Sequence, residues 1–331
     1  RLELRELLSP KVALSKAFRR TEEPFKIEED TKINHIVNIE IVLTSDHVRS
    51  TLSDLKNHHN WLNALPQLLE DFQQLLKDAL DLQQELGMAE EFLDRSSWHL
   101  PSITPHPQNR GFQEWVVLIE LLRDAWLALH KQNIKIARKI AISWFDIPYP
   151  TFKRLALFAA SIEPTISSKK WVKWLLSNNA YWLWSPDIKR EVLRLFVLQG
   201  IQLSSNTQIE LEKAILSGPP QELYPKIEAK EWQLLVDRAV WLRLAKLKSS
   251  GLQLNELALN HLEQLSLTYP DWQLATDERD EFSRWMSIGR AEFKEHRENS
   301  VIPNKRKELA KWLKEKNTIQ DRFYKDDWRE I

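Results

Sequence analysis

Two Lys-Arg dipeptides, Lys153-Arg154 and Lys189-Arg190, first invite a chemical reading. Each stands three and four residues after a proline, in "YPTFKRLALFAAS" (149–161) and "SPDIKREVLRLFVLQG" (185–200). Between them lie Lys169, Lys170 and Lys173, and the aromatic run that holds Tyr181, Trp182 and Trp184. Cations interleaved with rings suit two ligand classes. An acidic protein surface would be drawn to the positive ridge. Single-stranded nucleic acid would use phosphate contacts and ring stacking. The bland alternative is that these cations dock on acidic segments of the same chain, and that the rings plug gaps between helices. The stretch "NNAYWLWSPD" (178–187) reads as an inter-helix loop whose rings are candidate interface anchors.

Other reactive groups are sparse. Two histidines, His99 and His106, share the proline-rich loop 94–111 with Asp94. Two His and one carboxylate can hold zinc, but the helical H-E-x-x-H pair is missing. The loop is expected to be ordered, with Trp98 packed into a neighbouring helix and one of these histidines hydrogen-bonded rather than metal-bound. No cysteine is present, which removes thiolate chemistry and disulfides. No G-x-S-x-G elbow, Walker loop or dinucleotide fingerprint occurs. The expectation is a segment without catalytic residues, cofactor or bound metal.

The elements that must position these residues are helical. The chain has 331 residues, 43% of them hydrophobic, with only 6 glycines and as many as 15 tryptophans. Glycine is scarce where helices dominate and tight turns are few. The tryptophans fall mostly inside periodic apolar segments such as "EWVVLIELLRDAWLAL" (114–129), as core residues do. Leucine spacing predicts a helix over 61–87 with Gly87 as its stop. Further helices are predicted near 112–131, 133–145, 150–160, 169–178, 189–199, 206–216, 230–249, 254–268, 279–290, 305–316 and 318–330. Residues 1–20 read as a helix interrupted at Pro10. Alternation in "INHIVNIEIVL" suggests an extended segment near 33–43.

The proline–Lys-Arg pattern recurs after 36 residues, with "KKWVKWLL" between its copies. That period fits two-helix repeats. The fold class expected is therefore all-α: a HEAT/TPR-like solenoid of stacked two-helix units. Residues 1–45 would form an N-terminal helix and extended linker to upstream domains, and 46–331 the repeat region. In the first copy Phe152, Leu155, Ala156 and Ala159 make the apolar face, leaving Lys153 and Arg154 to one side. Both basic pairs are expected on equivalent, solvent-facing positions of successive units. Net charge is zero overall, yet 131–200 hold 12 basic against 4 acidic residues, net +8, between acidic blocks.

Three stretches carry a family resemblance: "SSWHLPSITPHPQNRGFQEWVVLIELLRDAW" (96–126), "YPTFKRLALFAAS" (149–161) and "WLRLAKLKSSG" (241–251). Over residues 45–315 the chain resembles the C-terminal helical region of large bacterial antiphage proteins, the STAND NTPases of the Avs (AVAST) kind and related sirtuin-domain defence proteins. The resemblance implies a cytoplasmic sensor region, cut from a longer chain, that binds a phage protein such as terminase or portal. It implies oligomerisation of the full-length protein, with any NTPase, nuclease or NAD-consuming activity outside this segment. A nucleic-acid-binding module using 131–200, or an architectural arm, are the other readings. No membrane contact is expected, because no run of eighteen apolar residues exists.

Overall fold

The computed structural model describes residues 1–16, 37–45, 48–109, 113–162, 165–225 and 227–286. Over these the chain is mostly helical, with one small sheet. Helix α1 (Leu2–Leu7) leads into strands β1 (Pro10–Lys16) and β2 (Val37–Leu43), which pair antiparallel with Pro10 opposite Leu43. Then follow α2 (Val48–Lys56), α3 (Trp61–Glu85), the single turn α4 (Ser96–His99), α5 (Val117–Gln132), α6 (Ile134–Trp144) and α7 (Pro150–Ala160). Beyond them come α8 (Ser168–Leu175), α9 (Ser177–Trp184), α10 (Lys189–Gln199), α11 (Ser205–Leu216), α12 (Ala229–Ser249) and α13 (Glu256–Thr268).

The extended segment expected near 33–43 is strand β2 at 37–43; residues 33–36 lie outside the described residues. Its partner corrects the reading of 1–20 as an interrupted helix. Pro10 opens a strand, where its missing N–H costs nothing. Ile41 and Leu43 are buried while Val12, directly opposite Ile41 on the same face, and Leu14 remain exposed, so the cover of that face lies on the β2 side, and β1 and β2 both pack on α3. Residues 1–285 form one compact unit.

Helix α3 buries Leu65, Leu68, Leu69, Phe72, Leu75, Leu76, Ala79 and Leu80, a three- and four-residue periodicity along about 38 Å of helix. It stops where the sequence predicts. Gly87 takes φ +67°, and the N–H groups of Gly87 and Met88 return to the carbonyls of Gln84 and Gln83. Neighbouring helices are tied by aromatic donors as well as by packing. The indole N–H of Trp126 on α5 reaches the Ala137 carbonyl of α6 at 2.9 Å, and that of Trp144 reaches Gln73 of α3 at 2.7 Å.

Helix α7 lies wholly inside the 1–285 unit. All eleven of its residues are buried. Pro150 occupies its first turn, where φ is already suitable. The next N–H, from Thr151, donates to the Asp94 carboxylate at 2.5 Å, so the helix N-terminus faces a buried anion. Asp94 also accepts from Ser96 N at 3.0 Å, which folds the proline-rich loop against α7. The helices pack in the succession α5, α6, α7, α10, α12, α13, each against the next. The helix predicted at 279–290 is absent over its described part: Arg279–Glu281 is a single 3-10 turn and 282–286 are irregular. The segments 305–316 and 318–330 lie outside the described residues. No helix among the described residues is long and apolar enough to cross a membrane.

Candidate functional site: buried Lys-Arg clasps and an exposed lysine face

The two dipeptides share a role, but it is not the solvent-facing one expected of them. Lys153 is 6% exposed and Arg154 is fully buried. The Arg154 guanidinium grips Glu191 of α10 with two bonds, Nε to Oε2 at 3.0 Å and Nη2 to Oε1 at 3.1 Å. It also donates to the Leu100 carbonyl at 2.6 Å and to Ser96 Oγ at 3.2 Å, both in the proline-rich loop. Glu191 accepts one more bond, from Ile103 N at 2.9 Å. Lys153 Nζ meets no carboxylate among the described residues. It donates to the carbonyls of Phe145 and Ile147 at 2.5 and 2.6 Å and lies over the rings of Phe145 and Trp182. Burial lowers its pKa to about 8, against smaller opposing pulls from Asp146 and Glu91.

At the second dipeptide, Lys189 Nζ donates to the Phe282 carbonyl at 3.2 Å, and burial followed by repulsion from Arg243 lowers its pKa to about 8. Arg190, 4% exposed, donates from Nη2 to Glu278 at 2.6 Å, pairs through Nη1 with Glu281, and covers the Phe282 ring at 4.6 Å. In both places the lysine takes main-chain carbonyls and the arginine takes carboxylates on a later element. The cause of the correction lies in α7 and α10, which pack directly on each other. Their polar sides face chain rather than water, and buried carboxylates compensate the cations there.

The aromatic candidates also move inward. Asn178, Asn179 and Ala180 adopt left-handed backbone, with φ of 52°, 55° and 59°. Asparagine tolerates this region, whereas an alanine there costs roughly 1–2 kcal/mol. The reversal swings Trp182 and Trp184 into the core, where they are 2% and 1% exposed. Arg243 lies over Trp184 at 4.0 Å. Tyr181 is partly buried against Phe92, whose ring centre is 4.5 Å away. The stretch 178–187 is therefore no exposed aromatic loop. Over its described residues the proline-rich loop buries Ser102, Ile103 and Gln108. His106 Nδ1 accepts from Gln108 N at 3.1 Å, while Trp98, expected to be packed away, is half exposed with the Arg284 guanidinium 3.3 Å from its ring centre.

Among the predicted candidates Lys169 and Lys173 are exposed, while Lys170, like Tyr181 and Lys189, is partly exposed. On α8 Lys169, Lys170 and Lys173 share one face, opposite buried Trp171, Val172, Trp174 and Leu175. Further cations of the basic block 131–200, not singled out among the candidates, lie on the helices before them. On α6, Lys135, Arg138 and Lys139 stand at i, i+3 and i+4, opposite buried Ala137, Ala141 and Trp144. Lys131 sits in the last turn of α5. One residue gathers the three helices. Thr165 accepts from Arg138 Nε at its carbonyl, 2.6 Å, holds its hydroxyl 2.8 Å from His130 Nε2 of α5, and lies just before α8. The i, i+3, i+4 spacing of Lys135, Arg138 and Lys139 was the available signal. Lys131, Lys135, Lys139, Lys169, Lys170 and Lys173 form no ion pair among the described residues.

No family model matches this chain, and neither a curated protein nor a solved structure does.

Proposed function

We propose that this chain is a non-catalytic recognition region of a larger bacterial antiviral defence protein, and that its exposed lysine face binds an acidic surface of a protein partner such as a phage component. The observation that carries the binding reading is the set of six lysines on α5, α6 and α8 that stand in or near solvent without carboxylates. Cations of one sign without ion-pair partners on linked helices raise the local potential and speed encounter with an anionic partner. Antiviral context and cytoplasmic location rest on the resemblance of 45–315 to antiphage sensor regions. The succession α5–α6–α7–α10–α12–α13, with Arg154 and Arg190 in like roles, supports a repeat solenoid as the frame.

Burial of the rings favours protein over single-stranded nucleic acid. Trp171, Trp174, Trp182 and Trp184 are unavailable as stacking platforms, and each stacked base would have contributed about 1–3 kcal/mol. The test is binding of a labelled poly-glutamate 20-mer and of a labelled DNA duplex to wild type and to a Lys135→Glu/Lys139→Glu/Lys169→Glu/Lys173→Glu variant, across a salt titration. The acidic polypeptide should bind, and the variant should lose that binding with its melting temperature preserved. Equal binding by the variant would reduce this face to a solvated surface. Preferred duplex binding, with log K falling on log salt by about 0.9 per phosphate held, would move the assignment to nucleic acid. Loss of phage protection by the same variant in the full-length protein tests the biological setting.

A further inference from the structure

On another part of the molecule, the segment following α13 lies along the surface as a bound peptide would. Between Thr276 and Arg284, Glu281 and Phe282 are the two buried residues, 3% and 5% exposed, while Thr276, Asp277, Arg279, Ser283 and Arg284 face solvent. Its one regular feature is the 3-10 turn Arg279–Glu281, entered through Glu278 at φ 62°. Three acids reach into a cationic groove. Glu278 and Glu281 take Arg190 of α10, while Asp280 and Glu281 take Lys246 of α12 at 2.9 and 2.7 Å. Phe282 fills the remaining space, with the Arg190 guanidinium on one side and the His106 ring 4.7 Å away on the other. Its carbonyl receives Lys189 Nζ, and Ser283 Oγ donates to the Pro186 carbonyl at 2.8 Å.

Some donors on the groove side make no hydrogen bond to this occupant. Arg190 Nε, Arg194 Nε and Arg238 Nη1 are buried atoms with no hydrogen-bond partner among the described residues. Buried arginine donors left unspent favour any ligand that supplies more acceptors. Acids spaced three apart and then an aromatic ring, held by side chains with exposed residues between, form a short linear recognition pattern.

We propose that this groove, walled by α10, α12 and the proline-rich loop, is a docking site for acidic partner segments ending in an aromatic residue, and that residues 278–282 are its resident, exchangeable occupant. A partner segment richer in carboxylates displaces the resident. The site is separate from the lysine face and does not depend on that reading.

Hydrogen exchange on the wild-type full chain is the first test. The amides of Glu281 and Phe282, bonded to the Glu278 and Arg279 carbonyls, should exchange about 100-fold or more faster than those of α10 and α12, because the segment opens locally. The second test adds a synthetic peptide carrying residues 275–286 to wild type and to a Glu278→Lys/Phe282→Ala chain. The altered chain should bind the peptide at least about tenfold more tightly than wild type, since intramolecular competition is removed. A peptide with Phe282→Ala should not bind. Exchange of 281–282 only through global unfolding would overturn the proposal, as would a folded Glu278→Lys/Phe282→Ala chain that ignores the peptide. Should that chain fail to fold, the exchange measurement on wild type decides alone.

Discussion

The two Lys-Arg pairs are the same dipeptide at the same distance from a proline, yet one closes the core and the other fastens its edge. Arg154 and Glu191 are 0% and 4% exposed, and the guanidinium spends its donors on Glu191, Leu100 and Ser96. Arg190 is itself 4% exposed, but it is matched less completely. Its partner Glu278 is 43% exposed, and its Nε has no partner among the described residues. The difference lies in what each helix faces. Helix α7 is covered on all sides, so its cation had to be matched in full. Helix α10 faces an irregular segment, and there the carboxylate partner Glu278 reaches solvent while the arginine stays buried.

That contrast is sharpest in stability. Arg154→Ala should leave Glu191 charged and buried without its partner, costing roughly 3–5 kcal/mol in urea unfolding. Next comes the apolar neighbour. Leu155 is fully buried, and Leu155→Ala should cost about 2–5 kcal/mol. If it exceeds Arg154→Ala by a wide margin, packing rather than the ion pair holds α7. Glu278→Ala should cost only about 0–1 kcal/mol, as a partly exposed pair does. A loss as large as that of Arg154→Ala would erase the distinction between core and edge.

The lysines of the two pairs make a subtler prediction about pH. Both have folded pKa values of about 8, below the ordinary 10.5. Between those values the unfolded chain holds more protons than the folded one, so stability rises with pH. The penalty for burying charge is fully present below about pH 8 and is relieved as pH approaches 10.5. Thermal melts from pH 7 to 10 should show this gain in wild type and a smaller one in Lys153→Met/Lys189→Met. A flat profile in wild type would mean that the carbonyls around Lys153 and Lys189 solvate the ammonium as well as water does. The smallest expected effect on stability belongs to charge reversal on the lysine face, which should alter binding and leave the melt in place.

Helix positions were legible because apolar spacing and stop signals agree, as at Leu65 to Gly87. The β1 strand was not, because its partner lies across a long sequence gap and Val12 and Leu14 stay exposed although they share a face with buried Ile41. The burial of Lys153 and Arg154 was also hidden. Charge in a sequence reads as surface, and only the pairing of Arg154 with a carboxylate 37 residues away reverses that. The inward turn of Trp182 depends on three left-handed residues, of which only the two asparagines hint at it. Lys169, Lys170 and Lys173 were readable because the tryptophans between them fix the opposite face inward.

The full enclosure of α7 also sets an order in time. During synthesis Asp94 and Leu100 emerge before Arg154, but Glu191 follows 37 residues later. At roughly 5–20 residues per second that is a wait of about 2–7 s, in which a helix with no outward side has its capping anion but not its counter-charge. The charge on Arg154 therefore finds its carboxylate only once α10 has emerged.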